Sequence, residues 1–162
     1  MSLEALDASR FGFDSRCFVC DRHNPRGLQV PFFQDTDAEI VFADFELPSE
    51  FSGAPTLVHG GVTLALIDEA MSWATIALAG KFAYTGDTAA RFAWPVRLDR
   101  PYRVEARLTA RGEHHMTTEA VVLDAKRRPC VTATATMVVL DVDKAAEAIG
   151  APVTGEDTNY TR

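Results

Sequence analysis

The sequence predicts an α+β domain in which a curved antiparallel sheet of about six strands surrounds one long central helix. Residues 60–78 are apolar on every helical face, so this helix should be enclosed by protein. Four strand-like segments follow it, and 162 residues with 47% hydrophobic content suffice for one sizeable core. We expect a single domain at residues 17–150, preceded by an N-terminal arm at 1–16 and followed by a flexible tail at 151–162.

The elements before the helix are short. Residues 1–16 have weak periodicity and are expected to form a short helix or a loosely held arm. Residues 17–28 are dense in turn-forming Asn, Pro and Gly, and a strand should begin at residues 28–30. Residues 38–47 alternate apolar and acidic side chains, which is typical of a half-buried strand, and residues 48–55 should form a loop.

The helix and the strands after it carry the clearest patterns. Gly80 is the expected helix stop. Strands are expected at residues 85–95, 102–111, 116–124 and 130–141, and the last alternates apolar residues with threonines. Because strands this rich in Thr, Ala and Val leave a sheet edge or face unfinished within one chain, we expect a dimer formed by sheet extension.

Composition limits the classes of partner and compartment. A formal net charge of -7 argues against nonspecific nucleic-acid binding, which needs a basic surface. No uncharged apolar run reaches roughly 18 residues and residues 1–16 lack a secretory pattern, so we expect no membrane partner and a cytoplasmic location. Three cysteines form no even disulfide framework, which favours a reducing compartment.

Two adjacent carboxylates, Asp68 and Glu69, lie at the centre of the apolar helix. An ionised carboxylate removed from water costs several kcal/mol unless something compensates it. The two side chains point about 100° apart around the helix, so both cannot act on one atom. We expect one to carry chemistry and the other to have a structural role.

Three groups of residues have a recognisable order and spacing. They are Cys17-Phe18-Val19-Cys20 with Asn24-Pro25-Arg26-Gly27-Leu28, Val58-His59-Gly60-Gly61 with Leu66-Ile67-Asp68-Glu69-Ala70, and Arg91-Phe92 with Pro95-Val96. Together they resemble the hotdog-fold acyl-coenzyme A thioesterases of the phenylacetate-pathway type. The resemblance implies a hotdog fold, hydrolysis of an acyl- or aryl-acyl-coenzyme A, no cofactor beyond the coenzyme A of the substrate, and a homodimer or homotetramer.

The resemblance also implies site residues. Asp68 would be the catalytic acid, acting as a general base or as a nucleophile, with Glu69 as the alternative acid. The backbone amide of Gly61, helped by Gly60, would hold the thioester oxygen at the helix N-terminus. Thr85, in the strand after the helix, would contact the substrate. The acid of one subunit would face the glycine pair of the other.

Further residues complete the predicted substrate site. Thr88 is a neighbour that could substitute for Thr85. Ser72 lies one turn after Asp68 and would orient it, line the pocket or simply pack there. His59 should hydrogen-bond loop backbone and hold the glycines in place. Gly53 stands where some family members have an Asn that helps to bind the carbonyl.

The carboxylates have structural alternatives. Asp68 could instead be a buried group paired with an arginine such as Arg91. Glu69 is expected to bond a histidine or an arginine.

Basic and aromatic residues are candidates for the two ends of an acyl-coenzyme A. Guanidinium groups match phosphate oxygens, so Arg97 and the turn Lys126-Arg127-Arg128 are candidate coenzyme A phosphate contacts, although surface arginines often only contact solvent. The candidate acyl-pocket residues, which could equally pack in the core, are Trp73, Phe82, Phe92 and Trp94.

The spacing Cys17-x-x-Cys20-x-x-His23 also suggests zinc, because thiolates and imidazoles are zinc ligands. Only three ligands cluster in the sequence, whereas a structural zinc site takes four. We therefore predict no metal.

Two other functions stay open at this level. One is a noncatalytic acyl-coenzyme A or small-ligand binding protein on the same scaffold. The other is a hydratase or dehydratase, for which the expected paired Asp and His motif is not evident.

Overall fold

Nine strands, two α-helices and two short 3-10 turns make up residues 2–150, the part of the chain that the computed structural model describes. The strands are β1 (Leu3–Leu6), β2 (Phe32–Asp35), β3 (Ile40–Phe45), β4 (Ser52–Ala54), β5 (Leu57–Val58), β6 (Ala83–Phe92), β7 (Tyr102–Arg111), β8 (His115–Asp124) and β9 (Pro129–Val139). The helices are α1 (Gly60–Ala79) and α2 (Val142–Ile149), and the 3-10 turns are Ala8–Phe11 and Ser49–Phe51.

Seven of the strands form one antiparallel sheet in the order β1-β2-β3-β7-β8-β9-β6, and α1 packs across its inner face. The predicted α+β architecture, with one long helix against an antiparallel sheet, is confirmed. The small β4-β5 hairpin lies immediately before α1 and sets the direction in which the chain enters the helix.

The N-terminal segment forms the edge opposite β6, where the sequence predicted a short helix or a loose arm. β1 pairs with β2, which raises the main sheet to seven strands. Phe11 is only 3% exposed and its ring centroid lies 5.5 Å from that of Trp73 in α1. The boundary at residue 17 stays a prediction, and the tail at 151–162 lies outside the described residues.

Other departures from the predicted elements are local. Residues 28–30 hydrogen-bond the preceding loop, with the Val30 N–H donating to the Val19 carbonyl, and the strand begins only at Phe32. The expected loop at 48–55 contains a 3-10 turn and β4. Helix α2 was not predicted; Asp141 caps it by accepting the Lys144 N–H at 2.9 Å.

Helix α1 begins and ends where the sequence predicted. Gly80 adopts the left-handed conformation, with φ of 62°, and its N–H bonds the last turn. One stripe of the helix is not covered by the chain's own sheet: Gly61, Leu64, Ala65, Asp68 and Ser72 are partly or fully exposed. Length and composition alone would let α1 cross a membrane, as they would for many core helices; here it packs against the sheet.

Strand β6 is the free edge next to this stripe. It pairs only with β9, and the residues from Gly86 to Phe92 are exposed. Tyr84, Phe92 and Trp94 are about half exposed, at 54%, 45% and 50%. A long unpaired edge with apolar side chains is a template for another strand.

Candidate active site

Asp68 meets β6 near the start of that strand. The Thr85 hydroxyl donates a hydrogen bond to Asp68 Oδ1 at 2.5 Å. Asp68 is half-buried on the uncovered stripe of α1, and no salt bridge reaches it among residues 2–150. The alternative pairing with Arg91 is therefore not present. One carboxylate oxygen is fixed by a hydroxyl, and the second has no described hydrogen bond.

A β-bulge positions Thr85. The register with β9 shifts between Thr85 and Asp87, so Gly86 is the extra residue. A Cβ on Gly86 would lie 3.0 Å from Val138 Cγ2, which explains why glycine suits the bulge. Bulges commonly redirect side chains beside active sites. Thr88, the predicted substitute, donates instead to the Thr134 carbonyl at 3.1 Å and does not contact Asp68.

The N-terminus of α1 is capped by His59. Its Nδ1 accepts the Gly61 N–H at 2.9 Å, and its carbonyl accepts the N–H groups of Val62 and Thr63. His59 thus holds the glycine turn, as expected. The Gly61 amide, predicted to bind the thioester oxygen, is engaged by this cap, whereas no hydrogen bond from the Gly60 N–H is described. A helix N-terminus attracts negative charge, so the open Gly60 N–H is suited to an oxyanion.

Gly53 leaves no room for the family's asparagine. A Cβ at this position would lie 2.9 Å from His59 Cα, closer than real Cβ atoms come to backbone. Gly53 lies between Ser52 and Ala54, which pair with β5 across the hairpin. The loop therefore packs tightly against His59, and position 53 supplies no side-chain donor for a substrate carbonyl.

The cap gives a first testable prediction. His59→Ala should lower the free energy of unfolding by about 1 kcal/mol, because the Gly61 N–H loses its acceptor. Urea denaturation would measure the loss, with His114→Ala as the matched control, since His114 is an exposed residue at a strand edge. Equal stability of the two variants would show that the cap contributes nothing.

A single chain does not bring the acid to the helix N-terminus. Asp68 lies seven residues after Gly61, which is about 10 Å along the helix axis. The two ends of β6 lie beside these two separate points of the helix. Thr85, near the start of β6, contacts Asp68, and the ring of Phe92, at the end of β6, lies 3.9 Å from a Cβ position on Gly60. Each chain therefore presents two half-sites beside opposite ends of one edge strand.

Glu69 turns away from this edge and meets the N-terminal loop. Its Oε1 lies 3.3 Å from Cys17 Sγ, in hydrogen-bond contact, where the sequence predicted a histidine or an arginine as partner. Burial and then the charge of Cys17 raise the pKa of Glu69 to about 8. The hydrogen bond from Cys20 lowers the pKa of Cys17 to about 5. A raised pKa disfavours the ionised form of Glu69, so this carboxyl is less available as a general base than Asp68.

The remaining predicted substrate residues divide between core and surface. Trp73 and Phe82 are buried, and Phe82 packs against Phe13 with centroids 5.4 Å apart. Phe92 and Trp94 are exposed at the Gly60 end of β6. Ser72 is half-buried one turn beyond Asp68, and no hydrogen bond of its hydroxyl is described.

The predicted phosphate contacts lie in different surroundings. Arg128 bonds Asp124 at 2.9 Å and stacks on Trp94, with its Cζ 4.4 Å from the ring centroid. Arg97 is exposed and its backbone bridges Leu57 beside the helix start. Both arginines therefore lie toward the Gly60 end. Arg127 pairs with Glu105, and Lys126 is exposed, with no ion pair in the described part of the chain.

A shallow cavity of about 660 Å³ lies on the outer face of the sheet, between strands β6, β7, β8 and β9. Its charged lining residues are Arg91, Glu105, Arg107 and Glu119, and the others are Ala, Thr, Val and Ile. None of the residues around Asp68 or Gly60 contributes to it. The site residues instead face the open edge of β6.

Residues 56–131 match the family described as the thioesterase superfamily. A crystal structure of a thioesterase superfamily protein is 26% identical, with a TM-score of 0.66 over 71% of this chain. The chain covers 56% of that protein, little more than half its length. No curated protein matches the chain by sequence.

Two further solved structures share the fold at lower identity. Smu.793 from Streptococcus mutans, solved with acetyl-CoA bound, is 20% identical with a TM-score of 0.60, covering 63% of this chain and 82% of its own. The Escherichia coli PaaI protein from the phenylacetic acid degradation operon is 12% identical with a TM-score of 0.63, covering 70% and 80%. These similarities confirm the hotdog fold. The match of residues 56–131 to the thioesterase superfamily confirms the predicted resemblance.

Proposed function

We propose that this hotdog-fold chain, whose residues 56–131 match the thioesterase superfamily, hydrolyses an acyl-coenzyme A thioester to the free acid and coenzyme A. The observation that carries the proposal is the unpaired Asp68 carboxylate, half-buried and held by Thr85 at the open β6 edge. A carboxylate in this state is available for proton transfer.

Asp68 acts as a general base on water in the proposed reaction. Thr85 fixes Oδ1, which leaves Oδ2 to accept the proton of a water that attacks the thioester carbon. The tetrahedral intermediate then expels the coenzyme A thiolate. If Asp68 were the nucleophile instead, it would displace the coenzyme A thiolate and form an acyl–aspartyl anhydride. Attack of water on the Asp68 carbonyl of that anhydride, in a single turnover in ¹⁸O-water, would put the label into the protein carboxyl, which the general-base reaction never does.

The thioester oxygen binds at the N-terminus of α1. Charge develops on this oxygen during attack, and fixed N–H donors there typically contribute about 3 kcal/mol to transition-state stabilisation. The Gly60 N–H is open for this purpose, and the Gly61 N–H joins it by sharing or leaving His59 Nδ1. The Phe92 ring beside Gly60 supplies an apolar wall.

A homodimer unites the two half-sites. Antiparallel pairing of β6 with β6 of a second copy sets the Thr85 end of one strand against the Phe92 end of the other. Asp68 of one subunit would then face Gly60 of its partner, and the exposed apolar side chains on β6 would be covered. Two such dimers associating as a tetramer, and a cytoplasmic location, remain predictions from the sequence.

Arg97 and Arg128 are the proposed phosphate contacts, because they lie toward the Gly60 end. Replacing both by Ala should raise KM about tenfold with little change in kcat, since phosphate binding is remote from the reacting bond. Arg127→Ala is the matched control: this arginine pairs with Glu105 on β7, whereas Arg128 lies over Trp94 and Arg97 beside Leu57, so its loss should leave KM unchanged. The assignment fails if the control and the double variant shift KM equally.

The proposed activity is tested by thiol release over a panel of short, long and aromatic acyl-coenzyme A substrates. Turnover of at least one class supports hydrolysis. Tight binding across the panel without turnover would instead establish the noncatalytic function on this scaffold. The hydratase alternative requires a histidine that can exchange a proton with the substrate. The Nδ1 of His59, which lies at the start of α1, instead accepts the Gly61 N–H in the helix cap.

A further inference from the structure

We propose that Cys17, Cys20 and Glu69 form a binding site for a thiophilic divalent cation, with Zn²⁺ as the best fit, that fastens the N-terminal loop to helix α1. The Sγ atoms of both cysteines and a Glu69 carboxylate oxygen all lie within 4.8 Å of one another. Ligands arranged tetrahedrally around zinc lie roughly 3.6 to 3.8 Å apart, so binding would require only a small contraction. This proposal is independent of the proposed hydrolysis.

The first cysteine is already surrounded as a zinc-bound thiolate would be. Cys17 Sγ accepts the backbone N–H groups of Val19 at 3.3 Å and of Cys20 at 3.4 Å. Such N–H donors are the outer-shell contacts that hold a ligand in place and stabilise its negative charge. The turn that contains both cysteines thus directs two backbone N–H groups at the Cys17 sulfur without a bound cation.

The rest of the loop keeps this turn in place. The Leu28 N–H donates to the Phe18 carbonyl at 2.7 Å, and the Asn24 side chain donates to the Arg16 carbonyl at 3.1 Å. A Cβ on Gly27 would lie 2.5 Å from the Phe18 oxygen, so only glycine permits this approach. The Asn-Pro-Arg-Gly segment therefore clamps the cysteine turn against the chain that follows it.

Glu69 is the third ligand of the proposed site, in place of His23, which the sequence suggested. The His23 side chain is 78% exposed and lies beside Asp21, so it is not part of the cluster. Glu69 reaches the cysteines from α1, 52 residues away in sequence from Cys17. Thiolate and carboxylate are both ordinary zinc ligands. The three protein ligands are one fewer than a closed structural site has, so a water takes the fourth position.

The cluster brings a carboxyl group and two thiols together without a positively charged side chain beside them. No described salt bridge within residues 2–150 involves Glu69. The groups that face it are Cys17 and Cys20 from the N-terminal loop and Trp73 from its own helix. The Trp73 indole nitrogen is buried and has no hydrogen-bond partner within 3.5 Å among residues 2–150. It lies one helical turn from Glu69 and is placed to support the ligated carboxylate from behind. A divalent cation would supply the missing positive charge.

The experiment uses the full chain, reduced and treated with a chelator, then titrated with Zn²⁺ against a chromophoric competitor. One equivalent should bind and raise Tm by about 5 °C or more. With Co²⁺ in place of Zn²⁺, the spectrum should contain a thiolate-to-cobalt charge-transfer band, which reports sulfur ligation without reference to enzymatic activity. Absence of that band together with no zinc binding would overturn the proposal.

Variants separate the site from other thiols. Cys20→Ser should weaken zinc binding about 100-fold or more and Glu69→Gln by at least about tenfold, since losing a ligand exceeds the usual outer-shell effect. Cys130→Ala is the matched control, because Cys130 is buried on β9, away from the loop, and should bind like the parent. Unchanged binding by Cys20→Ser refutes the site. The site is also refuted if the reduced parent chain binds no zinc and a mild thiol oxidant links Cys17 to Cys20 in a disulfide. That result would establish a redox pair instead.

Discussion

Asp68→Asn is expected to fold like the parent chain and to lower kcat for thioester hydrolysis about 100- to 10,000-fold. The amide has the shape of the carboxylate and can still accept the Thr85 hydrogen bond, so the local structure should persist. It cannot accept a proton from water at neutral pH. Steady-state kinetics on the best substrate of the panel, with circular dichroism for folding, measure the effect.

Two further variants make this result specific to Asp68. Asp14→Asn removes an exposed carboxylate with no described hydrogen bond and should leave kcat unchanged. Thr85→Val removes the hydroxyl that orients Asp68 and should reduce kcat about tenfold, without the full loss. An Asp68→Asn enzyme that retains parental kcat would exclude the proposed chemistry.

Gly60→Pro is expected to have the second largest effect, a fall in kcat of about 100- to 1,000-fold. Proline removes the one N–H at the helix start that has no described partner. It is well tolerated at the first helical position, and His59, with φ of -58° and ψ of 130°, already has the extended backbone that a following proline requires. The helix should therefore survive the loss of the donor.

Gly60→Ala is the matched control for this variant. It adds a Cβ that would meet the Phe92 ring at 3.9 Å, an ordinary contact, while keeping the N–H. Its kcat should stay within a few-fold of the parent. If the alanine and proline variants lose activity equally, the effect comes from the added carbon atoms and the oxyanion assignment is wrong.

Mixing the two inactive chains tests the shared site directly. In a heterodimer of Asp68→Asn with Gly60→Pro, one of the two interfacial sites combines an intact Asp68 with an intact Gly60 from the other chain. Random exchange of subunits should then restore about a quarter of the parental activity. Failure to restore activity, with heterodimers present by native mass spectrometry, would place the whole site within one chain.

The long helix and the four strands after it could be predicted because their apolar periodicity extends over many residues. β1 and α2 could not, since each is short and depends on packing: Phe11 anchors the first segment on Trp73, and Asp141 caps the last helix.

The candidate site divides in the same way. Thr85 donates a hydrogen bond to Asp68, whereas the resemblance implied only that Thr85 contacts the substrate. The engagement of the Gly61 N–H by His59 depends on a side-chain rotamer, which no motif specifies. The partner of Glu69 depends on the path of a loop 52 residues earlier in the chain. Because this contact is long-range, the sequence pattern could not show that the partner is a cysteine rather than an arginine or a histidine.

The β6 edge has a consequence for when the protein is active. Under the proposed pairing, a lone chain carries an acid without its oxyanion donor, and a donor without its acid. A newly made monomer would therefore be idle in the presence of acyl-coenzyme A. Both active sites would arise in the same event, when two chains meet, so catalysis would begin only at concentrations that sustain the dimer.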